Sequence, residues 1–316
     1  MKKPKIVSFT VVFQAQSLNY GEGFGNIAEL KKFTRGDGMQ YTFVSRQALR
    51  YDIVRLGHQL FGWNLETLDS SKGTIQFKED VTIKDSEEMD LFGYMKTKRG
   101  GKKAKSEAEE EIEKGAFTRS AVVRLTHAIS LEPYKSDLEF LSNMGFAQRL
   151  NENPNIANIE QHFSFYSYTV TIDLNRVGID GAIKLSNEER YKRVSQLLDI
   201  VKILNREIRG RIENLSPVFV IGGVYSLPFA LFSGIIKLSF KNGKPNIDLK
   251  PIQSVIETTV GECNIKQDTS YGIVKGIFEN ESEIHKLIIG SDGELISPTK
   301  FFENLKEKIR EYYGVN

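Results

Sequence analysis

Residues 6–13 read Ile6-Val-Ser-Phe-Thr-Val-Val-Phe13. Val7, Phe9, Val11 and Phe13 alternate with Ser8, Thr10, Val12 and Gln14. β-Branched and aromatic residues at period two specify a strand. A polar, glycine-rich loop follows, from Gln14 to Asn26. Further on, Ser45 is a good N-cap, and Leu49, Ile53, Leu56 and Leu60 recur at helical spacing until Gly62 stops the helix. Phe117–Ile129 alternates and predicts a second strand. Phe163–Asp173 predicts a third, whose apolar phase changes between Phe165 and Tyr166, which reads as a bulge. Ser186 with Glu189 forms a capping box, and Tyr191, Val194, Leu198, Val201 and Leu204 then make one apolar stripe. Val218–Val224, with Gly222-Gly223 inside it, predicts a fourth strand.

Stripped of insertions, the order is β-α-β-β-α-β, the ferredoxin-like or RNA-recognition arrangement of an α+β palm. Residues 1–63 supply the first half of the palm and the Gly-rich loop. Residues 64–116 form a first insertion, 117–131 a palm strand, 132–159 a second insertion, and 160–226 the second half of the palm. The first insertion holds a strand pair around Ile75–Phe77 and Val81–Ile83; the second holds a short helix at Asp137–Leu141. Residues 227–316 complete the palm. They show a hairpin signal at Lys241-Asn-Gly-Lys244 and another at Gly290-Ser-Asp-Gly293. A last helix is capped by Ser297 with Pro298 at its first position, and buries Phe302, Leu305, Ile309 and Tyr313.

Composition removes several function classes. The chain has 316 residues, 40% hydrophobic and 27% charged, which is the balance of a globular protein with a core of its own. Lys plus Arg is 43 and Asp plus Glu is 41, a net charge of +2, so a generic polycation is excluded while a local basic groove is not. The longest apolar stretch, Leu215 to Leu238, is broken by Pro217, Gly222, Gly223, Pro228 and Gly234, short of the ~18 to 20 apolar residues of a membrane span. Met1-Lys-Lys-Pro-Lys5 runs into a strand with no small-residue cleavage site, unlike a signal peptide. Cys263 is the only cysteine, which fits a reducing cytoplasm. His58, His127, His162 and His285 have no metal-ligand spacing, so no metal and no cofactor are expected.

Few stretches carry chemistry. Gly21-Glu-Gly-Phe-Gly25 is not a dinucleotide fingerprint, since Asn26 and a distant helix follow it, and the chain has no P-loop. It is either a flexible loop or one whose bare backbone approaches a phosphate. Arg46 lies in the first turn after Ser45, where the helix dipole disfavours a cation by about 0.3 to 1 kcal/mol unless an anion binds there. Arg50 is one turn on; both arginines equally suit a solvated face. Lys96 to Lys105 holds six basic residues in ten and reads as a mobile loop able to follow a nucleic-acid backbone, with five glutamates between Glu107 and Glu113 behind it. Phe163, Phe165, Tyr166 and Tyr168 are core or base-stacking residues. Lys192, Arg193, Lys202, Arg206, Arg209 and Arg211 read as the solvent face of the second helix. Glu132 and Asp137 are solvated acids rather than catalysts, and no G-x-S-x-G elbow or Cys–His setting exists.

Four stretches together resemble the DevR-type backbone subunit of type I-B CRISPR Cascade complexes, in the repeat-associated mysterious protein superfamily. They are the opening strand, Ser17-Leu-Asn-Tyr-Gly-Glu-Gly-Phe-Gly-Asn26, Phe43-Val-Ser-Arg-Gln-Ala-Leu-Arg-Tyr-Asp52 and Asp90-Leu-Phe-Gly-Tyr-Met95. The resemblance implies a palm with finger and thumb insertions, polymerising head-to-tail along a guide RNA. The guide is displayed in segments for pairing with a target DNA strand, beside other Cascade subunits. Ser17, Asn19 and Tyr20 would then line the guide groove, and Ser45, Arg46, Gln47 and Arg50 would hold phosphates. Lys96, Lys98, Arg99, Lys102 and Lys103 would lie near guide or target. The subunit would be non-catalytic and cytoplasmic. The alternatives are a metal-dependent endoribonuclease of the same superfamily using a thumb acid such as Asp137, and a scaffold or regulator without nucleic acid. The superfamily's glycine-rich signature near the C-terminus amounts here to Gly222-Gly223.

Overall fold

Strand β1 (Ile6–Gln16) is hydrogen-bonded along both edges in the computed structural model, which describes residues 5–70, 73–97 and 116–315. Strands β2 (Lys32–Thr34) and β3 (Gln40–Val44) lead into helix α1 (Arg46–Phe61), and α2 (Glu87–Phe92) lies in the first insertion. Next come β4 (Val123–Leu125) and β5 (Ala128–Ser130). A hairpin of β6 (Asp137–Ser142) and β7 (Ile156–Gln161) follows, with helix α3 (Met144–Leu150) at its turn. Then come β8 (Phe163–Asp173), α4 (Asn187–Lys202), and a hairpin of β9 (Asn205–Ile208) and β10 (Arg211–Asn214). The chain ends with β11 (Phe219–Tyr225), hairpin strands β12 (Leu238–Lys241) and β13 (Lys244–Ile247), α5 (Leu249–Ile256), β14 (Thr269–Ile273), α6 (Glu281–Ile289) and α7 (Pro298–Tyr313).

The protein is mixed α+β. Among the described residues its main sheet has eight strands in the order β14-β11-β1-β8-β5-β3-β2, with β4 on β8 beside β5. All these pairs are antiparallel. The alternation in β1 divides the core in two. Val7, Phe9, Val11 and Phe13 face α1, α4 and α7, where Phe9 packs edge-on against Phe302 with ring centroids 5.5 Å apart. Val12 faces the opposite way, into a second cluster with Phe219, Ile221, Phe232 and residues of α5 and α6. The Gly222-Gly223 pair is required by close approach. A Cβ on Gly222 would strike the Ser8 carbonyl and Phe9 of β1, and one on Gly223 the Asp268 carbonyl. No helix among the described residues is long and apolar enough to cross a membrane.

Local signals placed most element ends. Ser45, Ser186 and Ser297 each accept the N–H three residues on, and Gly62 closes α1 in the left-handed region at φ 69°. Asn242 and Gly243, both at positive φ, turn the β12–β13 hairpin as expected. Several expectations fail. Residues 137–141 are strand rather than helix, because β7 pairs with them along their whole length. Gln76–Phe77 pairs with Leu68–Asp69, not with residues 81–83. Gly290 ends α6 at φ 90° and begins no hairpin. The expected 117–129 strand is three pieces, of which Ala116–Arg119 pairs with Tyr94–Thr97 instead of joining the main sheet. Leu60, placed in the apolar stripe of α1, is exposed.

The second helix also differs. Arg193 does not face solvent. It is 2% exposed, and its guanidinium donates to Asp90 at 3.0 Å, to Glu189 at 2.9 Å and to the Ile83 carbonyl at 2.7 Å. Asp90, fully buried on α2, also binds Arg119 at 2.7 Å and the Gly178 N–H at 2.9 Å. One carboxylate thus ties the first insertion to α4. Arg206, Arg209 and Arg211 lie beyond the helix, on or between β9 and β10. Arg206 reaches Asp52 and the Leu18 carbonyl, both at 2.7 Å. Asp90→Ala removes the one fully buried carboxylate that two buried guanidinium groups share, leaving Arg193 only Glu189 and Arg119 only the more distant Asp180 at 3.6 Å, which costs roughly 3–5 kcal/mol. Urea unfolding measures this, and a midpoint equal to wild type would contradict the anchoring role.

Candidate nucleic-acid interface

At the end of β3 the chain turns into α1. Ser45 is extended, and its hydroxyl accepts the Ala48 N–H at 3.2 Å. The Arg46 N–H is taken by His127 Nδ1 at 3.0 Å. Two donors of the first turn are therefore already used, so the helix start is less open to an anion than its sequence implies. What remains is side-chain charge. Arg46 and Gln47 are exposed, and Arg46 makes no ion pair with any described residue. Arg50 differs: its guanidinium sits on Glu88 at 2.6 Å and over the Phe92 ring at 5.3 Å.

His127 reaches α1 because of a bulge. Between the pairs Leu125–Val170 and Ile129–Ser167, three residues of the β4–β5 stretch face two of β8. The bulge expected in β8 between Phe165 and Tyr166 is absent, since β8 pairs with β1 residue for residue there; the apolar phase changes because Phe165 belongs to one core cluster and Tyr166 to the other. The Thr126 hydroxyl accepts the Thr169 N–H at 2.8 Å within the β4–β5 bulge. Beside His127, Phe33 and Phe43 stack with centroids 4.0 Å apart, and Phe43 meets the imidazole edge-on at 5.3 Å. Burial, and secondarily the Arg46 charge, lowers the His127 pKa. Because Nδ1 accepts the Arg46 N–H, the neutral ring carries its proton on Nε2.

Two open depressions meet at Arg46. One, about 450 Å³, is bordered by Arg46, Gln47, Arg50, Phe92 and Arg124. The other, about 740 Å³, lies over β5 and β8 and is bordered by Phe33, Arg35, Arg46, His127, Ser167 and Lys237. No Asp or Glu lines either depression among the described residues. Arg124 and Lys237 are exposed and make no ion pair with a described residue, and Arg35 lies over the Tyr41 ring at 4.9 Å.

The structure separates the expected site residues. Ser45, Arg46, Gln47 and Arg50 come together at the start of α1. Ser17, Asn19 and Tyr20 line neither depression, and Ser17 and Tyr20 form a joint with β7. Ser17 is buried at φ 51°, donates to Gln161 Oε1 at 2.6 Å and accepts the His162 N–H at 2.9 Å. Tyr20 donates to the Glu160 carbonyl at 3.1 Å beneath the Arg209 guanidinium, 4.2 Å from its ring. The Asn19 side-chain nitrogen is buried with no hydrogen-bond partner. In the exposed Gly-rich loop the Gly21 and Phe24 N–H groups already donate to the Glu29 and Ile27 carbonyls, and Ile27–Ala28 just after it pairs in parallel with β7. Lys96 is 8% exposed with its ammonium on the Val81 and Glu79 carbonyls, so it is turned away from a solvent-borne phosphate. Lys98, Arg99, Lys102 and Lys103 lie outside the described residues. Of the four aromatics on β8, Phe165, Tyr166 and Tyr168 are core, while Phe163 is exposed.

Arg124, Arg35, Lys237, His127 and Phe33 were not legible as site residues. Arg124 alone had a signal, since it falls out of phase with apolar Val123 and Leu125. The others come from three separate segments.

Comparison with known proteins adds the following. The family described as CRISPR-associated negative auto-regulator DevR/Csa2 matches residues 7–242. The CRISPR-associated protein Cas7/Cst2/DevR of Myxococcus xanthus (strain DK1622) is 29% identical over 170 residues, 49% of this chain and 52% of that protein. The match therefore spans about half the length of that relative. A chain of a solved CRISPR RNA-guided surveillance complex, pre-nicking, superposes with a TM-score of 0.56 at 11% identity, over 96% of this chain and 100% of that one, a likeness of fold.

His127 supplies a pH test. Its folded pKa is depressed, so the Arg46–His127 bond is fully formed above the ordinary value of 6.5 and is lost as pH falls through the depressed value. An NMR titration should show a midpoint below 6.5, and Arg46→Ala should move it up without restoring 6.5, because burial remains.

Proposed function

The chain belongs to the DevR/Csa2 family of CRISPR-associated proteins, and from that premise we propose that it is a non-catalytic, guide-RNA-binding backbone subunit of a CRISPR surveillance complex of type I-B. The observation that carries the reading is the carboxylate-free pair of depressions joined at Arg46. In a chain with 41 acidic residues, a face that gathers Arg35, Arg46, Arg50, Arg124 and Lys237 without a lining acid favours a polyanion. Arginines grip phosphates through forked donors irrespective of base. That suits a guide whose sequence varies and whose specificity is delegated to pairing with the target DNA strand.

The architecture supports the finer reading too. Strands β11, β1 and β8, with β4 and β5 beyond, lie in the order that a β-α-β-β-α-β palm takes, and α1 and α4 cover one face. The β6–β7 hairpin, with exposed Leu138, Phe140 and Phe146, is the thumb, and the first insertion held by Asp90 is the finger. Copies of the subunit stack head-to-tail along the guide beside other Cascade subunits.

The purified protein should carry RNA and form higher oligomers. Arg46→Ala with Arg124→Ala should weaken binding uniformly across RNA sequences and flatten the salt slope by about 0.7 per lost phosphate contact. Arg50→Ala should do less, because Glu88 already holds that side chain. A monomer that takes up no guide RNA at low salt would sink the proposal. Cleavage of complementary RNA with a divalent metal, lost in Asp137→Ala, would replace it with the endoribonuclease reading.

A further inference from the structure

The β6–β7 hairpin is held at its base. All six residues of β6 are exposed, so that strand adds no buried face to the attachment. β7 is anchored through Glu160, which takes the Lys32 ammonium at 2.6 Å and the Leu30 N–H at 2.7 Å. One residue, His162, separates β7 from β8. Its backbone is clamped twice by Ser17, just past β1. The His162 N–H donates to the Ser17 hydroxyl at 2.9 Å, and the His162 carbonyl accepts the Ser17 N–H at 3.0 Å. The residue is 6% exposed, and its ring reaches β3, where Nδ1 lies 2.7 Å from the Thr42 hydroxyl. That hydroxyl is in turn 2.9 Å from the Tyr166 hydroxyl on β8.

These buried groups accommodate one proton arrangement at a time. The Pro133 carbonyl faces the ring and favours an N–H directed at it, which puts the proton of the neutral ring on Nε2. Nδ1 then accepts from Thr42, and Thr42 accepts from Tyr166. A second ring proton would sit on Nδ1 and reverse both bonds. The Tyr166 hydroxyl would be left with the His162 carbonyl at 3.5 Å, the limit of a hydrogen bond. The charge would also be shut away from water. Two carboxylates favour that charge, Glu132 from the segment between β5 and β6 and Asp137 on β6. The Glu132 Oε2 already takes the Ser164 hydroxyl and the Phe165 N–H, both at 3.0 Å. Ser17 and Thr42 bring no charge, and Tyr134, edge-on at 5.6 Å, is a neutral phenol. The Lys32 ammonium beyond it is closed on Glu160. Burial outweighs the two carboxylates and holds the ring's pKa below 6.5.

We propose that His162 is a proton-sensitive pin that sets how firmly the β6–β7 hairpin is anchored. Neutral, it completes the chain from Tyr166 through Thr42 to the base of the hairpin. Charged, it reverses that chain inside the protein and loosens the base. The inference involves no nucleic acid and stands apart from the proposed function. The anchored ring holds its proton less tightly than a ring opened to water. Anchoring is therefore present in full above the ordinary value of 6.5 and is lost as pH falls through the depressed value.

Hydrogen–deuterium exchange of the full chain, followed from neutral pH to about pH 5 and corrected for intrinsic exchange rates, tests this. Amides of β6 and β7 should lose protection by up to about tenfold per pH unit below 6.5, while those of β1 keep theirs. His162→Gln, neutral at every pH, should show no such loss, and His127→Gln should retain it. Thr42→Val removes the donor that favours the neutral ring, so the His162 midpoint in an NMR titration should move up. The same loss in His162→Gln, a loss shared equally by β1, or a wild-type midpoint at or above 6.5 overturns the pin. A midpoint that moves down in Thr42→Val overturns it too, because Nδ1 would then be the donor. Should His162→Gln not fold, the wild-type and Thr42→Val midpoints decide on their own.

Discussion

The carboxylate of Asp90 is the constraint on which the arrangement of parts depends. It is fully buried in the first insertion, and it holds Arg119 from the segment that follows the insertion, Arg193 from α4 and the Gly178 N–H after β8. Two guanidinium groups and a carboxylate out of water are tolerable only when each is met by charge and hydrogen bonds, so the three segments have one acceptable relative position. Arg193 spends its remaining donors on Glu189 and on the 83–84 backbone, and Arg119 on carbonyls after β8. The insertion is thereby fixed to the same helix that packs on β1.

The same economy of charge explains a near-neutral protein with a basic face. Lys32 closes on Glu160, Arg50 on Glu88, Arg206 on Asp52, and Lys306 on Asp199. Most of these pairs are partly buried and join elements distant in sequence, so they act as joints and leave little field outside. Arg46, Arg124 and Lys237 stand apart from that pattern, and they border the two depressions that no acid lines. Net charge therefore said little about partners, because the field of a cleft depends on which cations are left without carboxylates.

The strands and helices around β1 were legible because their signals are local. The alternation of Val7 to Phe13, the serine caps at 45, 186 and 297, and the Asn242-Gly243 turn each act within a few residues. Residues 137–141 carry only a short alternation, Leu138 and Phe140 against Asp137 and Glu139, and what makes them strand rather than helix is pairing with β7, some twenty residues on. The change of apolar phase at Phe165 and Tyr166 reflects burial on both faces of β8 rather than a bulge, while the bulge between β4 and β5 leaves no local mark, since an extra residue shows in the register between two strands and not in either alone.

Of the candidate site, the sequence alone determined Ser45, Arg46 and Gln47 at an exposed helix start, since a cap and a 3.6-residue period place them without reference to the rest of the chain. The tertiary structure decided what surrounds them. It brought His127 onto the Arg46 N–H, set Phe33 and Lys237 across the same depression, committed Arg50 to Glu88, and turned Ser17 and Lys96 inward. Whether a cation is free or paired depends on side chains tens to hundreds of residues away. Caps and hydrophobic periodicity hold no information at that range.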